Sequence, residues 1–117
     1  MPDYDAGIAF YVGILGFELR ADTHLGDGKR WVMVAPKDGQ TAILLAMANG
    51  PDQTAAIGNQ TGGRVGFFLY SDDFAADHAK MLAAGVQFEE EPRHEPYGRV
   101  AVWSDPFGNR WDLMQLT

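Results

Sequence analysis

No cysteine occurs anywhere in the chain. Disulfides, thiolate metal sites and cysteine nucleophiles are thereby excluded. Positive charge is scarce too: 9 Lys and Arg stand against 16 Asp and Glu, a formal charge of −7. Nucleic acid and anionic membrane surfaces both select a basic footprint, so neither is an expected partner. Apolar runs of membrane-spanning length are missing, and the N-terminus lacks the basic-then-apolar order of a signal peptide. A cytoplasmic protein is the expectation. What is present is 117 residues with 46% hydrophobic content, enough for one domain with a packed core.

Two stretches have helical period. Ile8, Tyr11, Val12 and Leu15 fall on one face of a helix that Asp3 caps and Gly16 stops. In "DDFAADHAKMLAAG", Asp72 or Asp73 is the cap, Phe74, His78, Met81 and Leu82 form the stripe, and Gly85 ends it. The remainder reads as strands over 17–22, 30–36, 41–48, 64–70, 86–90, 99–104 and 110–115. Between them lie the loops "THLGDGK", "KDGQ", "EPRHEPYG" and "DPFGN".

Shifted by 69 residues, the two halves align without a gap. Asp3 meets Asp72, Ala6 meets Ala75, Gly16 meets Gly85, Arg30 meets Arg99, Gly39 meets Gly108, and Leu44 meets Leu113. The shared glycines sit at the same helix stop and the same turn, which indicates internal duplication. The expected organisation is one domain over 1–117: module 1 at 1–48, a polar Gly-rich linker at 49–63, and module 2 at 64–117. Module 2 begins with a strand whose counterpart would precede Met1, so module 1 is expected to lack its first strand.

"AFYVGILGFEL", "MLAAGVQF" and "WSDPFGNRWDL" together resemble the glyoxalase/bleomycin-resistance/extradiol-dioxygenase group, the vicinal oxygen chelate superfamily. The resemblance covers nearly the whole chain. It implies an α+β fold of paired βαβββ modules, with sheets curling around a cavity usually completed in a homodimer. It also implies two kinds of member: metal-dependent lyases, isomerases and dioxygenases, and metal-free proteins that sequester antibiotics.

In the enzymes, the resemblance implies a divalent metal held by a His or Gln on the first strand of each module and a Glu on the last. Here the first such strand is absent and the second carries Arg64, which cannot ligate. The register places Ile43 at the third position; Asp112, at the fourth, is the one residue able to coordinate. No metal or other cofactor is therefore expected. Arg64 and Asp112 are expected to form an ion pair where enzymes keep the ion, or Arg64 to receive a ligand carboxylate or phosphate.

Alternation sets the inward residues. On the Asp112 side these would be Trp31, Met33, Ile43, Leu45, Phe68, Val100, Val102 and Met114, with Arg64 and Arg110 as further polar groups. Trp103 and Trp111 fall on the helix side and should be packing. Of the histidines, His24 is expected in solvent and His78 in the helix stripe. His94 lies in a loop where it, Glu95 and Tyr97 could close over a cavity mouth. The candidate ligand-binding set is Trp31, Met33, Arg64, Phe68, His94, Tyr97, Arg110 and Asp112.

Two functions compete. One is a metal-free homodimeric binder of an apolar or aromatic small molecule; the other is a glyoxalase-like metal-dependent lyase or dioxygenase. A third reading is a remnant whose first strand has been lost. A missing strand leaves backbone donors and acceptors unpaired on its neighbour, so self-association, with or without strand exchange, is expected.

Overall fold

A computed structural model describes all residues, Met1–Thr117. The chain forms two compact units, Met1–Ile57 and Gly58–Thr117. Their boundary falls inside the 49–63 connection, which contains a short helix as well as turns. No helix is long and apolar enough to cross a membrane.

In the first unit, α1 (Tyr4–Ile8) starts at Asp3, whose carboxylate accepts from the amides of Asp5 and Ala6. The helix then widens into a π-helical segment over Ala9–Ile14. The expected stripe of Ile8, Tyr11, Val12 and Leu15 assumes a constant 3.6-residue period. The π segment breaks that period, and the buried set is Tyr4, Gly7, Phe10 and Tyr11. Strands β1 (Glu18–Gly26), β2 (Lys29–Ala35) and β3 (Ile43–Leu44) form a three-stranded antiparallel sheet in that order. "THLGDGK" is not a loop: the strands continue to a tight turn at Asp27-Gly28, where both residues have positive φ (54° and 76°). Helix α2 (Pro51–Ala56) follows, opened by a proline in its first turn.

Register corrects the first unit's expected inward face. Met33 pairs with Leu44 and Val34 with Ile43, while the Leu45 amide donates to the Val32 carbonyl. Ile43 therefore shares the face of buried Val34, and buried Leu45 packs beside Gly7 of α1. The exposed face carries Trp31, Met33 and Leu44. In the second unit, Val102 pairs with Asp112. An exact 69-residue repeat would then pair Met33 with Ile43, so the first unit's last turn holds one extra residue. Ungapped alignment could not detect it.

In the second unit, strands β4 (Phe67–Tyr70), β5 (Gln87–Phe88), β7 (Gly98–Ser104) and β8 (Arg110–Leu116) form one sheet in the order β4-β8-β7-β5. Strand β6 (Arg93–Glu95) also pairs with β7. The β4–β8 pair is parallel and the others are antiparallel. Helix α3 (Phe74–Ala83) is capped by Asp73, which accepts from the Ala76 amide. Trp103 and Trp111 stack on each other at 5.0 Å, and Phe67 stacks on Trp111 at 4.7 Å. Both tryptophans are buried, as packing residues should be. His78 lies between Phe74 and Phe88, and His24 is exposed. Asp105 organises "DPFGN" by accepting from the amides of Phe107 and Asn109.

The second unit is thus β-α-β-β-β in plan, with the strand before β7 split into β5 and β6. In the first unit, no strand lies outside β3. Only Met1 stands there: its terminal ammonium donates to the Ala46 carbonyl and its carbonyl accepts from the Ala48 amide. That is the bonding pattern of one parallel bridge, the same sense as β4 on β8.

Candidate binding site

Two surfaces carry the sequence-predicted residues, one in each unit. In the first unit a cavity of about 540 Å³ opens beside the β1–β2 hairpin. Leu25, Trp31, Leu44 and Met47 supply its apolar wall, and each is more than one third exposed. Asp27, Lys29, Asn49 and Gln53 give it polar groups. Exposed large apolar side chains around a cavity are what a small-molecule site presents before its ligand arrives. Met33 shares the strand face of Trp31 but is not part of the cavity wall.

In the second unit the relevant surface is the sheet face that carries Asp112. Registered pairs put Phe68, Tyr70, Val100, Val102, Arg110 and Met114 on the same side. Phe68 and Tyr70 are exposed and meet edge to face at 6.4 Å. Arg110 holds Glu89 at 2.9 Å and also donates to the Gly63 carbonyl.

The expected ion pair between Arg64 and Asp112 does not form. The ladder of β4 begins only at Phe67, and Arg64 lies in an exposed bend before it. Its backbone turns there through the Thr61 hydroxyl, which donates to the Arg64 carbonyl. The arginines whose charge reaches Asp112 are Arg93 and Arg110. Sequence reading missed Arg93 because "EPRHEPYG" was expected to be a loop. Its alternation places Arg93 opposite Val100, on the Asp112 face.

The same alternation turns His94 away. His94 pairs with Arg99, one position out of phase with Val100, and so lies on the opposite face of the sheet from Asp112. It is exposed and cannot close over the Asp112 surface. Tyr97 is exposed in the two-residue turn joining β6 and β7, and its carbonyl accepts from the Thr117 amide. A period-two count through 93–95 would have found both the Arg93 and His94 placements.

Burial is the largest influence on Asp112 and pushes its carboxyl above the usual 3.8; Glu90 pushes the same way, while Arg93 and Arg110 oppose it. One Asp112 oxygen, Oδ1, is buried without a hydrogen-bond partner. The neighbouring carboxylates are committed elsewhere. Glu90 bonds Arg93 at 2.8 Å and accepts from the Val102 amide. Arg110 holds the Glu89 carboxyl below its ordinary range.

The pattern of the Glyoxalase/Bleomycin resistance protein/Dioxygenase superfamily matches residues 1–113. The chain belongs to this superfamily. An uncharacterized protein of Shewanella frigidimarina (strain NCIMB 400) is 47% identical over 116 residues, covering 97% of this chain and 86% of that one. Among solved structures, UcmS2 superposes with a TM-score of 0.83 at 32% identity, covering 97% of this chain and 92% of its own. TnmS3, an antibiotic binding protein from Streptomyces sp. CB03234, superposes with a TM-score of 0.79 at 35% identity, covering 100% and 89%.

Superfamily membership raises the question of a divalent metal. The residues do not fit one. A divalent ion needs three or four converging N or O donors. No group of three or more His, Asp or Glu side chains converges in this chain. At Asp112 the nearby charges include two guanidiniums, which repel a cation. The residue in the first unit that faces Met33 as Asp112 faces Val102 is Leu44, which is apolar.

Proposed function

We propose that this chain is a binding protein that holds an apolar or aromatic small molecule without a metal, working as a homodimer. The observation that carries this reading is the cavity of about 540 Å³ walled by Leu25, Trp31, Leu44 and Met47. A half-exposed indole at such a wall stacks on planar ligands at low entropic cost, because a tryptophan has few rotamers to freeze. The antibiotic-binding relative TnmS3, similar over the full length of this chain, supports the same class of function. The donor set around Asp112 argues against the alternative of a metal-dependent lyase or dioxygenase.

The homodimer rests on the outer edge of β3. Beyond the Met1 bridge it offers unpaired backbone groups, and such edges recruit another chain. Sedimentation of dilute protein tests this, and a stable monomer at nanomolar concentration refutes it.

Tryptophan fluorescence tests the binding reading. Trp103 and Trp111 are buried and Trp31 is 47% exposed, so an aromatic ligand in the cavity quenches mainly Trp31. Saturable quenching that Trp31→Phe removes is the expected result. Elemental analysis of dialysed protein is the companion experiment. Stoichiometric Zn, Ni, Fe or Mn in it would defeat the metal-free reading.

A further inference from the structure

Each unit lays one arginine over the first ring of its capped helix. Arg30 lies over Tyr4, which follows the cap Asp3, and Arg99 lies over Phe74, which follows the cap Asp73. Each arginine also has a histidine as its registered partner on the next strand, His24 for Arg30 and His94 for Arg99. Registered neighbours share a sheet face with Cβ atoms about 5 Å apart, so arginine and imidazole stand side by side.

In the first unit two carboxylates complete the arrangement. Asp22, two residues before His24, accepts from Nε of Arg30 at 3.0 Å and from Nη2 at 2.7 Å. Asp5, the residue after Tyr4, accepts from Nη1 at 2.9 Å. The Arg30 hydrogen bond holds the Asp22 carboxyl below its ordinary range, and the nearby charge of His24 adds to the effect.

In the second unit neither carboxylate has a counterpart. Pro92 stands two residues before His94, and Ala75 follows Phe74. Arg99 makes no ion pair and no side-chain hydrogen bond. Its Nε is buried; its terminal nitrogens are neither bonded nor buried. Neighbouring groups do not supply the missing charge. Gln115, registered with Arg99 on β8, uses its amide on the Phe74 N–H and the Asp72 carbonyl. The Asp73 carboxylate accepts from the Ala76 amide, Asp77 accepts from the Ser71 hydroxyl, and Asp72 is exposed.

We infer that the outer edge of Arg99, with His94 beside it, is a binding site for one small oxyanion, a carboxylate or phosphate group. The anion takes the terminal guanidinium nitrogens, as Asp5 takes Nη1 of Arg30. His94 has an N–H to donate in either protonation state. Ion pairs near a surface are weak partly because long side chains must be frozen to make them. Arg99 is already held against Phe74, so that cost is largely met before the anion arrives. The formal charge of −7 opposes anions at a distance, but physiological salt screens it beyond about 8 Å. This site is separate from the first unit's cavity and does not depend on the small-molecule reading above.

The test titrates the whole chain with sodium acetate and, separately, with sodium phosphate, with pH fixed and chloride holding the ionic strength constant. NMR signals of the Arg99 Nε–H and the His94 ring report on the site. Saturable shifts of both signals with at least one salt are expected; acetate alone marks a carboxylate site and phosphate alone a phosphate site. Ala75→Asp, at an exposed position, restores the carboxylate that Asp5 supplies in the first unit. It should occupy Arg99 from within and weaken anion binding about tenfold, the worth of one charge-assisted hydrogen bond. Arg99→Met should abolish the shift at His94. Absence of a saturable shift with either salt overturns the inference, and so does saturable binding that survives Arg99→Met. Should that variant fail to fold, anion binding that Ala75→Asp leaves at full strength overturns it instead.

Discussion

Arg30 and Arg99 stand 69 positions apart, and each lays its guanidinium over the aromatic ring at the start of its own unit's helix. Arg30 lies 5.3 Å from the Tyr4 ring and Arg99 lies 4.6 Å from the Phe74 ring. Around that shared device the units differ. Arg30 is saturated by Asp5 and Asp22, whereas Nε of Arg99 is buried without a partner. Larger differences lie on the sheet faces away from the helices. The first unit shows Trp31, Met33 and Leu44 there, and the second shows charged Arg93, Arg110 and Asp112 among its apolar residues. The seam between helix and sheet tolerates little change, because each side chain there is fixed by close packing. On the other face the same plan carries cavity-wall residues such as Trp31 and Leu44 in one unit and a charge network around Asp112 in the other.

The comparison can be broken most strongly at the tryptophans. Trp103→Ala removes a fully buried ring stacked on Trp111, and should cost about 3–5 kcal/mol in urea unfolding. Trp31→Ala should cost less than about 0.5 kcal/mol, because its side chain lies at the surface. Equal losses would mean that Trp31 is a core residue and that the cavity wall has been misread.

The paired arginines sharpen the comparison at intermediate size. Arg99→Met should cost about 0.5–2 kcal/mol through the lost contact with Phe74, with little dependence on salt. Arg30→Met should also lower the unfolding midpoint, but its deficit should shrink in 1 M salt because two ion pairs contribute to it.

The smallest effects concern two carboxyls of opposite behaviour in the second unit. Burial raises the Asp112 pKa, so the native state binds its proton more readily than the unfolded chain does. The resulting destabilisation grows as pH rises through and above 3.8. Asp112→Asn should therefore gain stability at neutral pH and lose that advantage in acid. Glu89 is lowered by Arg110, so its contribution is present above its ordinary 4.5 and disappears as pH falls through its depressed value. Glu89→Gln should be the less stable variant at neutral pH and match wild type in acid. Urea midpoints followed across the acid range distinguish the two signs.

Much of this molecule follows from local chemistry written in the chain. Asp3 and Asp73 cap because a short carboxylate reaches the first free helical amides. Glycines at positive φ end both helical stretches, and the aspartate of "DPFGN" organises its own turn. The duplication shows because those signals recur at one spacing. Absent thiols and scarce positive charge exclude whole classes of chemistry without reference to any fold.

Contacts between distant residues were decided only in three dimensions. One added residue before β3 moves Leu44 rather than Ile43 to the exposed face, since a single step reverses every side chain in a strand. The π segment after α1 likewise moves Phe10 into the core. Strand β6 forms because β7 offers it a ladder, and that pairing brings Arg93 to Asp112 and turns His94 away. The sequence determined where the two periodic helical stretches begin and end, because caps and glycine stops act over a few residues. Tertiary structure determined which side chains meet, because register and helical phase accumulate along the chain and are settled by pairing with segments far away in it.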